Sequence, residues 1–157
     1  ETISFLKKYK NQITHWQSPY RGMPDKPDYE VNNISNTKWV FNGNASGRVR
    51  MTNGYTQRKD VYKITISLNK LQKVKMSDYF DDKIDLNTTG NNIIYDEKMY
   101  NDGRINERYT KIINSSYFGI VVYDEEMRPR IYKALKHLTY LATKKREEAR
   151  KNSGEKF

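Results

Sequence analysis

Few side chains in this sequence have the type and spacing to do chemistry. Histidine occurs twice, at His15 and His137. Two imidazoles cannot complete a three-histidine zinc site, and no HExxH spacing is present. Both lie in segments with helical apolar spacing, so a structural role is expected for each, with proton transfer as the alternative. Asp78, Asp81, Asp82 and Asp85 form the densest carboxylate group. They could hold Ca²⁺ or share acid–base work, but they do not match the D-x-[DN]-x-[DN]-G loop, and an acidic turn between strands is the plainer expectation. Gly-x-Ser-x-Gly, the P-loop and the dinucleotide fingerprint are absent, and Ser46 in Gly43-Asn44-Ala45-Ser46-Gly47 lacks nucleophile-elbow spacing. There is no cysteine, which removes thiolate metal sites and cysteine nucleophiles. No cofactor or metal is implied.

Basic residues are the richer set. Net charge is +10, and it is unevenly spread. Residues 48–75 carry eight Lys/Arg against Asp60 alone, residues 76–102 carry seven acids against two Lys, and residues 128–151 carry nine basic residues against two acids. Arg48, Arg50, Lys63, Lys73 and Lys75 are expected on the polar faces of alternating strands, with Arg58 and Lys59 in the turn beside them. Gathered on one sheet surface, these seven could bind phosphates of RNA, DNA or lipid headgroups. A single-strand binder also needs exposed aromatic rings among the cations, and Tyr55 is the main candidate because Tyr62 falls on the apolar side. The competing reading is a solvated Lys/Arg face that discourages edge pairing. Arg130 and His137 have a separation similar to the Arg and His of helical ribonucleases, but they fall on different sides of one helix and the chain is strand-rich.

The elements that would position these residues follow from apolar periodicity. Over 157 residues, 36% are hydrophobic, 31% charged and 13% aromatic. That length suits one domain with its own core. Phe5, Leu6, Tyr9, Ile13 and Trp16 share a stripe, which predicts a helix over 3–16. Pro19, Pro24 and Pro27 predict an irregular connection over 17–36. Strands are expected at 37–41, 48–52, 61–68, 72–76, 92–96 and 108–113. Turns are expected at 42–47, Asn53-Gly54 and Asn101-Asp102-Gly103, and an acidic loop at 78–85. Residues 117–123 form the most apolar run and read as a central strand. Asp124 is a plausible cap for a last helix, with Pro129 tolerated in its first turn. Met127, Ile131, Ala134, Leu135, Leu138, Leu141 and Ala142 make its apolar stripe, and residues 144–157 are expected to trail off as a charged helical or disordered tail. No run of 18 apolar residues exists, so no transmembrane helix is expected. The sequence begins at Glu1 rather than Met, which is compatible with loss of a targeting segment.

Short strands followed by one amphipathic helix predict an α+β fold, an antiparallel sheet or small bent barrel capped by a long C-terminal helix, with an N-terminal helix. The ending Arg130-Ile131-Tyr132-Lys133-Ala134-Leu135-Lys136-His137-Leu138, after a last apolar strand, resembles that of pleckstrin-homology-like domains in uncharacterised exported bacterial proteins. The resemblance implies a β domain over 37–143, preceded by an arm at 1–36. It also implies an exported or periplasmic setting, a cytoplasmic one staying open, and it implies no activity. The leading functional reading is a non-enzymatic binding or interaction module for a protein or an anionic ligand. A nucleic-acid or other polyanion binder using the basic sheet face and the 128–151 helix is second. An enzyme built on Asp81, Asp82 and His137 is third.

Overall fold

The computed structural model describes residues 1–15 and 28–154. Of the irregular connection expected over 17–36, residues 17–27 lie outside the described residues, as does Trp16 at the end of the expected first helix, while Asp28–Ile34 form a strand paired to the next one instead. A first helix, α1 (Thr2–Lys8), and a 3-10 turn (Lys10–Gln12) lead into a short strand, β1 (Thr14–His15). Next come β2 (Asp28–Ile34), β3 (Lys38–Met51), β4 (Gly54–Ser67), a 3-10 turn (Leu68–Lys70), β5 (Leu71–Met76) and β6 (Lys83–Thr88). The chain ends with β7 (Ile93–Asn101), β8 (Arg104–Ile105), β9 (Lys111–Ser115), β10 (Tyr117–Val121) and the helix α2 (Met127–Asn152).

All the paired strands are antiparallel and form two open sheets. One has the order β1-β10-β6-β5. The other has the order β2-β3-β4-β7-β8, with β9 also pairing β7. The fold is α+β, and the sheets do not close into the barrel that was the alternative expectation. Their apolar faces meet. Trp39, Phe41, Ile64, Ile66 and Ile93 come from the larger sheet, and Phe118, Ile120, Ile84 and Leu86 from the smaller, all without measurable exposure. The Phe41 and Phe118 rings, 5.0 Å apart, join the two layers. Burying an aliphatic side chain of this size contributes roughly 1.5–3 kcal/mol, and a ring of this kind more.

The C-terminal helix seals the core through Met127, Ile131, Leu135, Leu138 and Ala142, which are buried at spacings of four, four, three and four. It packs on β5, the Leu68–Lys70 turn and α1. Asp124 serves its start: its Oδ1 accepts hydrogen bonds from the Glu126 and Met127 amides, both at 2.9 Å. Pro129 occupies the first turn, where its missing N–H leaves no bond unmade. Leu141, expected in the stripe, is instead exposed. Beyond Thr143 the helix does not fray, because Arg146 donates to the Asn69 and Leu71 carbonyls at 2.7 and 2.9 Å.

Other elements also differ from their sequence expectation, and the strand expected at 108–113 begins only at Lys111, after a 3-10 turn at Glu107–Tyr109. The first helix stops at Lys8, and Ile13 is already extended at φ −116° and ψ 125°. β-branched Ile13 and Thr14 favour strand geometry, and β1 gains a partner in β10. Leu6 and Ile13 are buried in the common core. Residues 42–47 are no turn: β3 runs unbroken through them, its inward Gly43 and Ala45 facing Tyr62 and Asp60 across the ladder. Residues 83–88, whose first part was assigned to an acidic loop, form β6, buried on both faces. Finally, Asn101-Asp102-Gly103 joins β7 to β8 rather than to a strand at 108–113. Asp102 and Gly103 take positive φ values of 47° and 78°, as a two-residue hairpin turn requires.

Candidate anion-binding surface

Cross-strand register decides which cations share a surface. β3 and β4 pair continuously from Lys38 opposite Ser67 to Met51 opposite Gly54. Trp39 and Phe41 point into the core from β3, as do Tyr62 and Ile64 from β4. Even-numbered β3 residues and odd-numbered β4 residues therefore share the outward face. It presents Lys38, Arg48, Arg50, Lys59 and Lys63, all exposed. Fourteen outward positions on these two strands hold those five cations and no acid. Asn42, Asn44, Ser46 and Gln57 lie between the cations and add donors and acceptors. Acids stand on the flanking strands: Asp28 opposite Asn44, Glu30 opposite Asn42, and Asp96 opposite Lys63.

Past the sheet the hairpin continues as a two-stranded ribbon. Among the described residues β2 accompanies β3 only as far as Asn44, and β7 accompanies β4 only from Arg58 onward. The two-stranded end, Arg48–Met51 opposite Gly54–Gln57, spans about 10 Å at the usual strand rise. Arg48 lies over the Tyr55 ring, 4.6 Å from its centroid. The base of the ribbon is braced by Asp102, whose carboxylate accepts from the Gln57 amide at 2.9 Å and the Thr56 hydroxyl at 2.7 Å. Those two bonds hold the Asp102 carboxyl below the usual range.

Of the seven cations singled out from sequence, four lie on this face: Arg48, Arg50, Lys59 and Lys63. Arg58 and Lys59 lie in β4 and not in a turn, and adjacent strand residues face opposite sides. Arg58 thus points inward, where its Nε and Nη2 grip the Asp60 carboxylate at 2.7–3.0 Å. Asp60 is only 4% exposed and also accepts from the Tyr62 hydroxyl at 3.3 Å. Burial and then the Asp60 charge push the Tyr62 phenol up. Lys73 and Lys75 belong to the other sheet, since β5 pairs β6 and not β4. Lys75 is bound to Asp78 at 2.7 Å, a contact that raises the amine and lowers the carboxyl. Lys38 was missed because the expected turn at 42–47 cut it off from Arg48. With β3 continuous, it lies in phase with Arg48 and Arg50.

The remaining candidates are dispersed. Asp85 is buried in β6, where it accepts from the Tyr117 hydroxyl at 2.7 Å and pairs with Lys83 at 3.2 Å. Asp81 and Asp82 stay in the β5–β6 connection. His137 shares a 2.7 Å hydrogen bond with Thr2 on α1. Among the described residues no group of three or more His, Cys, Asp or Glu is placed to hold a metal ion. On α2, Arg128 and Arg146 are committed to backbone carbonyls, while Arg130, Lys133 and Lys136 stay exposed. No helix among the described residues is long and apolar enough to cross a membrane.

His15 performs a structural task with a pH signature. Its ring stacks on Phe118 at 4.3 Å, and Nδ1–H donates to the Gly119 carbonyl at 2.9 Å. Burial, partly offset by the Gly119 bond and reinforced by the Lys83 charge, lowers its pKa from 6.5 to about 4. A base with a lowered folded pKa leaves the unfolded chain to bind the proton first. Stability from this group is therefore complete above about pH 6.5 and lost as pH falls toward about 4. With some allowance for the ring's partial exposure, the expected loss is about 2 kcal/mol at 1.36 kcal/mol per unit. Urea unfolding across this window should show that loss in the parent and a smaller one in His15→Gln. Equal losses would refute the neutral, buried imidazole.

Comparison with protein-family models, with curated proteins and with solved structures finds no match for this chain.

Proposed function

We propose that this protein is a non-catalytic binding module that engages a phosphate-bearing polyanion through the outward face of β3 and β4. The observation that carries the reading is the sign purity of that face: five exposed cations among fourteen outward positions, with no acid between them. Cations scattered at random on a surface with 19 acids would be interleaved with carboxylates, as Lys63 and Asp96 are one strand away. A single-sign surface attracts anions over roughly a Debye length of 8–10 Å and guides their approach. The kinship with pleckstrin-homology-like domains enters here as part of the proposal. The segment that carries it, residues 130–138, is occupied in closing the core through Ile131, Leu135 and Leu138, which leaves the sheet face for binding.

The test compares two charge-matched variants against labelled mixed-sequence DNA over a salt series. Lys59→Gln/Lys63→Gln removes two stripe cations, and Lys133→Gln/Lys136→Gln removes two exposed α2 cations. Each phosphate contact contributes about 0.7–0.9 to the log–log salt slope. The stripe variant is expected to flatten the slope by about 1.5 and the α2 variant by less than about 0.5. Equal flattening by both variants would show that total charge and not this face governs binding, and the reading would fall.

A further inference from the structure

The polyanion reading can be taken one step further, to the kind of polyanion. Resting on that reading, we propose that the partner is double-stranded DNA, entered in the major groove by the two-stranded end of the β3–β4 hairpin.

Shape is the first reason. The B-form major groove is roughly 12 Å wide and admits a two-stranded β-ribbon, whereas the major groove of an A-form RNA duplex is deep and narrow. Among the described residues this hairpin is two-stranded over roughly its last 10 Å, where Arg48–Met51 stand opposite Gly54–Gln57 and neither β2 nor β7 pairs alongside. Chemistry is the second. Arg48 and Arg50 stand two residues apart on one face, with Gln57 directly opposite Arg48. Arginine and glutamine are side chains able to read guanine and adenine edges in that groove. Behind them Lys59, Lys63 and Lys38 continue the same face along the body of the sheet, where they can meet phosphates outside the groove.

The same residues argue against the other two anionic surfaces. A single strand needs open aromatic rings on which successive bases stack. Here Arg48 already covers one side of the Tyr55 ring, and the other tyrosine in register on this face, Tyr100 opposite Lys59, is only partly exposed. A bilayer needs an apolar tip to enter it. The turn at this tip, Thr52-Asn53, is polar, and the exposed Met51 beside it is a single apolar side chain.

The experiment measures anisotropy of the whole chain with the same mixed sequence as DNA duplex, single-stranded DNA and RNA duplex, and cosedimentation with phosphatidylserine–phosphatidylcholine vesicles. Parent protein is expected to prefer the DNA duplex by at least about tenfold over each alternative. Arg48→Gln/Arg50→Gln, with unchanged melting, should flatten the duplex salt slope by about 1.8, two contacts at 0.9 each. Tyr55→Leu should change duplex affinity by less than about threefold, where a stacking platform would lose about fivefold or more. Tighter binding to single strands, RNA duplex or vesicles, still dependent on Arg48 and Arg50, would overturn the duplex assignment and leave the polyanion reading standing. Binding that ignores Arg48, Arg50, Lys59 and Lys63 alike would overturn both.

Discussion

Phe118→Ala is expected to cost about 3–5 kcal/mol of folding free energy, a large part of the 5–15 kcal/mol available to a domain of this kind. Phe118 is without measurable exposure and sits in β10, between β1 and β6. Its ring stacks on His15 at 4.3 Å and meets Phe41 at 5.0 Å and Tyr95 at 6.3 Å. His15 is on its own sheet, while Phe41 and Tyr95 come from the other, so truncation opens a cavity at the joint between layers. Neither backbone can close that gap without disturbing its own ladder. Phe118→Leu keeps most of the volume and should lose only about 1–1.5 kcal/mol. Urea midpoints at constant m report both values. A loss below about 1 kcal/mol for the alanine variant would mean that the sheets are not joined through this ring. The basic face lies on the far side of β3 and β4, so whatever remains folded should bind DNA with the parent's salt slope.

The strands legible in the sequence were those whose two faces differ in polarity. Tyr62, Ile64, Ile66 and Leu68 are buried as their alternation implies, and α2 buries five of the seven residues of its stripe, with Ala134 partly covered. Residues 42–47 looked like a turn because Asn and Gly favour turns when nothing else holds them. What holds them is tertiary. The small inward residues oppose Tyr62 and Asp60, and the asparagines face outward on a solvated sheet. β6 was hidden for the opposite reason. Its alternation is present in Lys83-Ile84-Asp85-Leu86, but a buried lysine and aspartate side by side are credible only once each is seen paired. The first helix over-ran because five apolar residues fit a helical stripe, and only the partner strand β10 reveals that Thr14 and His15 are extended.

Of the candidate surface, the charge was legible and the geometry was not. Composition alone marks residues 48–75 as basic. Which cations act together depends on three facts outside local sequence. The continuity of β3 adds Lys38. The parity of β4 separates Arg58 from Lys59. The Leu68–Lys70 turn carries the chain out of one sheet into the other and removes Lys73 and Lys75.

Arg58 gives the sharpest test of that parity, because the same basic residue would do something different on either face. Facing inward, opposite Gly47 and Asn101, it holds a carboxylate that has almost no access to water. Arg58→Ala strands that charge with one long hydrogen bond from Tyr62, and the expected loss is about 3 kcal/mol. Asp60→Ala is milder, about 1–2 kcal/mol, because the freed guanidinium is 28% exposed and can turn to solvent. Arg58→Lys cannot span both carboxylate oxygens and should fall between the parent and Arg58→Ala. Arg58→Met/Asp60→Leu removes both charges with their desolvation cost and is expected within about 1 kcal/mol of the parent, which makes the double-mutant cycle strongly non-additive. Binding should follow a different pattern. Below its melting temperature Arg58→Ala should keep the full DNA salt slope that Lys59→Gln/Lys63→Gln loses. An Arg58→Ala variant as stable as the parent, or one that flattens the slope as the Lys59 and Lys63 changes do, would place Arg58 outside. The register that groups Lys59 and Lys63 with Arg48 and Arg50 would then have to be abandoned.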